Sequence, residues 1–180
     1  MKRILVLTAL IIGGLLISVQ QAAAQDGGIK VGGGLMFGSG VNGSSDLDNH
    51  LGLRLNGVYT IDEQFRAGAD IGYFFPDKQG GLKMTVWELD LNGNYVFYND
   101  ATNGASAYAL AGLNYLNMNV DYDTNSQFGT VSGSDSEAGL NLGVGGEYAV
   151  NFGVLYAEMK YVLSNADELV IDAGVRFPIQ

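Results

Sequence analysis

The chain has 180 residues, 9 basic and 19 acidic side chains, no cysteine and 27 glycines, the last about twice the usual share of ~7%. A formal charge of −10 argues against nucleic-acid binding, which needs a basic patch. The lack of cysteine excludes disulfide scaffolds, thiolate zinc sites, thiol catalysis and lipid anchoring at a cysteine. The apolar content of 47% is too high for disorder.

Lys2 and Arg3 precede a mostly apolar run from Ile4 to Val19, and Ala22-Ala23-Ala24 follows it. This is the pattern of a secretory signal peptide cleaved after Ala24. Residues 1–24 are therefore expected to be removed, leaving 25–180 as one barrel domain. Without Lys2 and Arg3, 7 bases face 19 acids. No later stretch approaches the ~18 apolar residues of a membrane helix.

Eight segments then alternate with period two, the signature of strands with unlike faces. The first, Ile29 to Gly38, sets Ile29, Val31, Leu35 and Phe37 against Lys30, Gly32, Gly34 and Met36. The second, His50 to Ile61, sets Leu51, Leu53, Leu55, Tyr59 and Ile61 against His50, Arg54, Asn56 and Thr60. The third, Phe65 to Phe75, opposes Phe65, Ala67, Ala69, Ile71, Tyr73 and Phe75 to Arg66, Gly68, Asp70 and Gly72. In the fourth, Leu82 to Tyr98, Trp87, Leu89, Leu91, Tyr95 and Phe97 oppose Glu88, Asp90, Asn92 and Asn94. Leu82, Met84 and Val86 have the wrong parity for that pattern, which predicts a bulge near Val86.

The fifth, Ala105 to Val120, is apolar on both parities, so its faces stay open. The sixth, Glu137 to Tyr148, sets Ala138, Leu140, Leu142, Val144 and Tyr148 against Gly139, Asn141, Gly143 and Glu147. The seventh, Gly153 to Leu163, sets Leu155, Ala157, Met159, Tyr161 and Leu163 against Tyr156, Glu158 and Lys160. The eighth, Leu169 to Phe177, opposes Leu169, Ile171, Ala173, Val175 and Phe177 to Val170, Asp172 and Arg176.

Most segments have a length that crosses a bilayer when tilted. The connections Ser39–Asn49, Pro76–Gly81, Asp121–Ser136 and Ser164–Glu168 alternate with Asp62–Gln64, Asn99–Gly104 and Val150–Phe152. Two of the first set are long and two of the second are tight, as in a membrane barrel with both ends in the periplasm.

A soluble lipocalin-like barrel would also alternate, with its apolar face inside. Three features favour the opposite orientation. The polar face is rich in Gly and Asn, which suits the crowded interior of an eight-stranded barrel. Its charges nearly balance, with Lys30, Arg54, Arg66, Lys160 and Arg176 against Asp70, Glu88, Asp90, Glu147, Glu158 and Asp172. A closed lumen demands this, because a buried charge is costly unless paired. Aromatic residues sit on the apolar face near the strand ends. Phe37, Tyr73, Phe75, Trp87 and Tyr161 are placed toward the loops, and Tyr59, Phe65, Tyr95, Phe97, Tyr148 and Phe177 toward the turns. Two such belts fit interfacial girdles.

With its leader, eight amphipathic strands and terminal strand Leu169-Val-Ile-Asp-Ala-Gly-Val-Arg-Phe177, the chain resembles the small outer-membrane β-barrels of OmpA/OmpX type, including opacity-protein-like "porin family" members. The resemblance spans the mature chain and rests on pattern. It implies an all-β, eight-stranded antiparallel up-and-down transmembrane β-barrel in the outer membrane of a Gram-negative cell, reached by secretion. The last strand resembles the signal read by the outer-membrane assembly machinery, although Pro178-Ile179-Gln180 follow its final aromatic. No appended peptidoglycan-binding domain is expected after the eighth strand.

Candidate chemistry is sparse. His50, the single histidine, precedes Leu51 and Gly52, so the His-x-Ser pair of some outer-membrane lipid A esterases is missing, and a rim residue is expected. Asp121-Tyr-Asp123-Thr-Asn125 resembles the start of a calcium loop, but Ser126 replaces the required glycine and Ser132 the terminal glutamate. Gly32-Gly33-Gly34 lies in a strand with no Lys-Ser/Thr after it and is read as close backbone packing. Glu147 and Glu158 are read as lumen ion partners, not as an acid–base pair.

No catalytic residue, cofactor or metal is expected. The expected partners are outer-membrane lipid and the assembly machinery, with no nucleic acid, and the expected state is monomeric. The reading is a non-enzymatic barrel with a charge-filled lumen, serving envelope integrity or surface interaction. A narrow pore for ions or small solutes and a soluble periplasmic ligand-binding barrel are the alternatives.

Overall fold

The computed structural model describes residues 28–40, 50–79, 82–123, 130–165 and 167–179. The proposed signal peptide lies outside the described residues. Eight antiparallel strands form a closed barrel in sequence order: β1 (Ile29–Gly40), β2 (His50–Thr60), β3 (Phe65–Gln79), β4 (Leu82–Asp100), β5 (Ala105–Asp123), β6 (Thr130–Val150), β7 (Gly153–Leu163) and β8 (Glu168–Ile179). Closure is made by β1 on β8, in register from Ile29↔Ile179 to Gly40↔Glu168. A closed ladder leaves no unpaired edge in its shared girth, which is what a strand needs to cross lipid.

Period-two alternation sets the faces. Along β2, the odd residues Leu51, Leu53 and Leu55 are exposed while Arg54, Asn56 and Val58 are buried. The outer surface carries Leu89, Leu91, Leu113, Leu140, Leu142 and Ile171, all largely exposed. The fifth strand, ambiguous in sequence, is fixed by its register. Tyr108, Leu110 and Asn114 are buried inside, and Leu113 and Tyr115 face out.

Two expectations are corrected. The β4–β5 ladder runs unbroken from Leu82↔Tyr122 to Val96↔Tyr108, so β4 itself has no bulge at Val86; the irregularity beside Val86 lies on the neighbouring β3. Instead Val86 is buried inside, in an apolar layer with Met36, Phe74, Val162 and Val170, against which Met84, Leu116 and Met118 pack. From Met84 to Val96 the parity of β4 does not change; the lumen itself becomes apolar toward the loop end. One register shift falls on β3 beside Pro76, between Phe74↔Val86 and Asp77↔Met84, and another on β4 at Val96/Tyr98. A bulge turns an extra side chain to one face, and Phe97 and Tyr98 are both exposed.

The second correction concerns Asp121–Ser136. This is not all loop: β5 and β6 stay paired to Asp123↔Thr130. The calcium-like run therefore begins in a strand, and its residues 124–129 lie outside the described set. Among the described residues no group of three His, Cys, Asp or Glu could hold a metal ion.

At the opposite end the turns are tight. Asp62 Oδ1 accepts from the backbone N–H groups of Gln64 and Phe65 at 2.8 and 2.7 Å. Asp100 does the same for Thr102 and Asn103, at 3.0 and 3.1 Å. Gly104 has φ of 69°, the left-handed region where a Cβ is disfavoured.

Candidate functional site: the charged lumen

Alternation turns a set of charged and amide side chains from all eight strands into one interior. In the half nearer the turns, Lys30 of β1, Arg66 of β3 and Arg176 of β8 converge on Glu147 of β6, at 2.7, 2.9 and 2.7 Å. Arg176 also reaches Glu158 of β7 at 2.5 Å and Asn56 Oδ1 at 3.0 Å. Its guanidinium lies over the Tyr156 ring, 3.9 Å from the centroid, within cation–π range. The Tyr108 hydroxyl donates to Glu158 at 2.6 Å and accepts from Arg176 at 3.0 Å.

In the half nearer the loops, Arg54 of β2 pairs with Glu88 of β4 and lies 3.4 Å from Asp90 and 3.3 Å from Asp172. Lys160 of β7 pairs with Asp90 and lies 3.2 Å from Glu88. Asn114 donates to Asp90 at 2.8 Å, and Asn141 donates to Asp90 and to Asn92, each at 2.9 Å. Asn92 donates to Asp70 at 3.1 Å. All of these ion partners are buried.

The structure thus brings ten of the eleven predicted lumen charges into ion pairs. Asp70 stands apart in no ion pair among the described residues, hydrogen-bonded to Asn92. Sequence reasoning missed Tyr108 and Asn114 because β5 had no assignable face. It also missed Glu168, counted in a loop but opening β8 with its carboxylate beside Gly38.

Glycine makes room for this filling. A Cβ on Gly72 would sit 2.7 Å from Glu88 Cγ and 2.9 Å from Met36 Sδ. One on Gly145 would sit 2.5 Å from the Tyr108 ring. Gly32 and Gly34 lie close against β8, where a Cβ would meet Arg176 Cα at 2.8 Å and the Ala173 carbonyl carbon at 2.7 Å.

The apolar layer sits directly over the charges. Met36, Phe74, Val86, Val162 and Val170 are each two residues nearer the loops than Gly34, Gly72, Glu88, Lys160 and Asp172, which is one step on the same face. His50 stands at the mouth, edge-on to Phe74 with ring centroids 6.4 Å apart. At the turn end a second patch, Val96, Tyr108 and Leu110, is buried.

On the outside, Phe37, Tyr73 and Phe75 face out toward the loops, and Tyr59, Phe65, Tyr95, Phe97 and Tyr148 toward the turns. Trp87, Tyr161 and Phe177 are half-buried on the same surface. Phe65 and Tyr95 are direct cross-strand partners with rings 5.4 Å apart, and Trp87 meets Tyr115 at 5.7 Å. Tyr98, Tyr115 and Phe152 are exposed too and were not among the predicted aromatics.

No curated protein matches the chain significantly. Among solved structures, Neisserial surface protein A (NspA) aligns with a TM-score of 0.61 and 19% identity, over 84% of this chain and 96% of that one. The N-terminal β-barrel domain of Pseudomonas aeruginosa OprF aligns with a TM-score of 0.59 and 17% identity, over 86% and 98%. Ail, the attachment invasion locus protein of Yersinia pestis, solved in complex with the heparin analogue sucrose octasulfate, gives 0.57 and 19%, over 85% and 100%. At these identities the likeness is one of fold. The family model for the outer membrane protein beta-barrel domain matches residues 8–177. A closed eight-stranded barrel, an apolar outer surface and that match lead to one conclusion: the chain belongs to the outer membrane protein β-barrel domain family and resides in the outer membrane.

Proposed function

We propose that this protein is a non-enzymatic barrel with a closed lumen that presents its loop-side strands for interaction at the cell surface. The observation that carries the reading is the filled interior: ion pairs from seven strands, joined by Tyr108 and Asn114 of β5, with an apolar layer over them. Such a filling holds the strands together and leaves no polar path for solutes. The aromatic residues at the two strand ends act as girdles at the lipid interfaces. Residues 1–24 direct secretion and are cleaved, and the last strand is read by the assembly machinery. The barrel works as a monomer without catalysis; the ring of its single histidine meets Phe74.

The surface role rests on the β5–β6 hairpin. Its ladder reaches Asp123↔Thr130, whereas the β7 partner of β6 stops at Leu140. In this family type the longer connections face outward from the cell. Residues 121–139 contain Asp121, Asp123, Asp135 and Glu137 and no lysine or arginine. A polyanion such as the heparin analogue bound by Ail is therefore disfavoured here, and cationic partners are favoured.

The test is complementation of a deletion strain. Wild type should restore both the envelope barrier and surface attachment. Asp121→Asn/Asp123→Asn/Asp135→Asn should restore the barrier alone. Full restoration of both by the triple variant would remove the surface role.

A further inference from the structure

At the loop end β3, β4, β5 and β6 outrun the rest of the barrel. They stay paired to Gln79↔Leu82, Leu82↔Tyr122 and Asp123↔Thr130. Their outer neighbours stop earlier, the β2–β3 ladder at Gly52↔Phe74 and the β6–β7 ladder at Leu140↔Leu163. The protruding sheet therefore has two edges, one on β3 beyond Phe74 and one on β6 over residues 130–136. Among the described residues no strand pairs with either edge.

The two edges are built differently. Proline, lysine and a bulge are devices that blunt an edge against pairing. The β3 edge has all three: Pro76, Lys78 and the register shift between Phe74 and Asp77. The β6 edge has none of them. It reads Thr130-Val-Ser-Gly-Ser-Asp-Ser136, and its ladder with β5 is unbroken. Ser132 to Ser136 are small and exposed, and a Cβ added at Gly133 would meet nothing within 4 Å. Backbone N–H and C=O groups along such a run are a template for an added strand.

Charge sets which strand is accepted. Residues 121–139 hold Asp121, Asp123, Asp135 and Glu137 and no lysine or arginine. Asp135 is exposed on the edge strand itself, and Asp121 and Asp123 stand on β5 opposite Ser132 and Thr130. A second copy pairing through this edge would bring acid to acid, which opposes cross-strand pairing. We infer that the β6 edge accepts, as an added β-strand, an extended cationic segment of a partner protein with lysine or arginine at alternate positions. Successive side chains of a strand point to opposite faces, so a basic residue at every second position lines up on the face of Asp135. This names the partner's chemistry and its mode of binding, and it rests on the surface role proposed above.

The test uses the refolded protein in detergent and a short peptide of alternating lysine and threonine. A second peptide of the same sequence, N-methylated at every residue, keeps the charges and lacks the backbone donors. The unmethylated peptide should bind and should slow hydrogen exchange at alternate backbone amides of residues 130–136. The methylated peptide should bind at least about tenfold more weakly, because several backbone hydrogen bonds are lost together. Asp135→Asn should weaken the unmethylated peptide by up to about fivefold, as the loss of one cross-strand ion pair does.

Equal binding of the two peptides, or binding without protection of residues 130–136, would overturn strand addition. A dimer that protects these amides without peptide would give the edge to a second copy and overturn the cationic partner. If no peptide binds while attachment still depends on the aspartates, the edge site falls and the surface role stands. If the peptide pairs with the edge while the triple aspartate variant attaches as wild type does, the edge site stands and the surface role falls.

Discussion

The phenol of Tyr108 on β5 donates a 2.6 Å hydrogen bond to Glu158 on β7, past the intervening β6 and over 50 residues of sequence. The same oxygen accepts from Arg176 at 3.0 Å, so one hydroxyl joins a cation to its anion. Removing that oxygen leaves Glu158 with Arg176 at 2.5 Å but takes one donor from a buried carboxylate. Tyr108→Phe should therefore destabilise the barrel by about 1.5–3 kcal/mol, the range for hydrogen bonds to charged groups. Urea unfolding in detergent measures it.

Arg54 is the more costly side chain to lose. It is buried and serves Glu88, Asp90 and Asp172, all of which would remain buried in its absence. Arg54→Met should cost about 3–5 kcal/mol, the penalty for breaking a buried pair from one side. The companion Arg54→Met/Glu88→Met should recover part of the loss, because it removes one of the stranded charges; a double-mutant cycle reads this directly.

Asp100 offers a titration outside the membrane. The amide of Asn103 donates to its carboxylate at 2.7 Å, and the backbone N–H groups of Asn103 and Thr102 donate as well. These bonds hold its carboxyl below the usual value, with the Asn103 side chain the largest influence. A carboxyl lowered in the folded state contributes stability above its unfolded value and loses it as pH falls through the folded value. The contribution should fade on acidification below about pH 4. Asp100→Asn should remove that acid-side dependence: its unfolding midpoint should lie below wild type at neutral pH and converge with it across the acid range.

Neighbouring residues on β4 separate the two faces. Leu91 is exposed on the outer surface and Asn92 is buried inside. Leu91→Arg should cost about 2–4 kcal/mol near the bilayer midplane, measured by reversible folding into lipid vesicles. On a solvated face the same change would be nearly neutral.

Much of this was legible because a strand has only two faces. Where charges and Leu residues alternate cleanly, as in Leu53-Arg54-Leu55 and Met159-Lys160-Tyr161, one residue assigns its neighbours. The pattern failed where the lumen is not polar. Met84 and Val86 look like lipid-facing residues by composition, yet they face inward and belong to the layer over Glu88. Hydropathy cannot tell an apolar lumen layer from an apolar outer face. Tyr108 was hidden for the same reason, since Tyr108, Leu110, Leu113 and Tyr115 are all apolar enough for either side. Which lumen acid pairs with which base was also beyond the sequence, because it depends on register across strands such as β8 and β6, which bring Arg176 to Glu147.

The proposed role depends on a closed lumen. Single-channel recording of the refolded protein in planar bilayers tests it most directly. The ion pairs around Arg54 and Lys160 and the layer of Met36, Phe74 and Val86 predict a silent membrane with only rare, irregular events. Steady, reproducible openings of one defined conductance would contradict a closed lumen and make the protein a narrow pore.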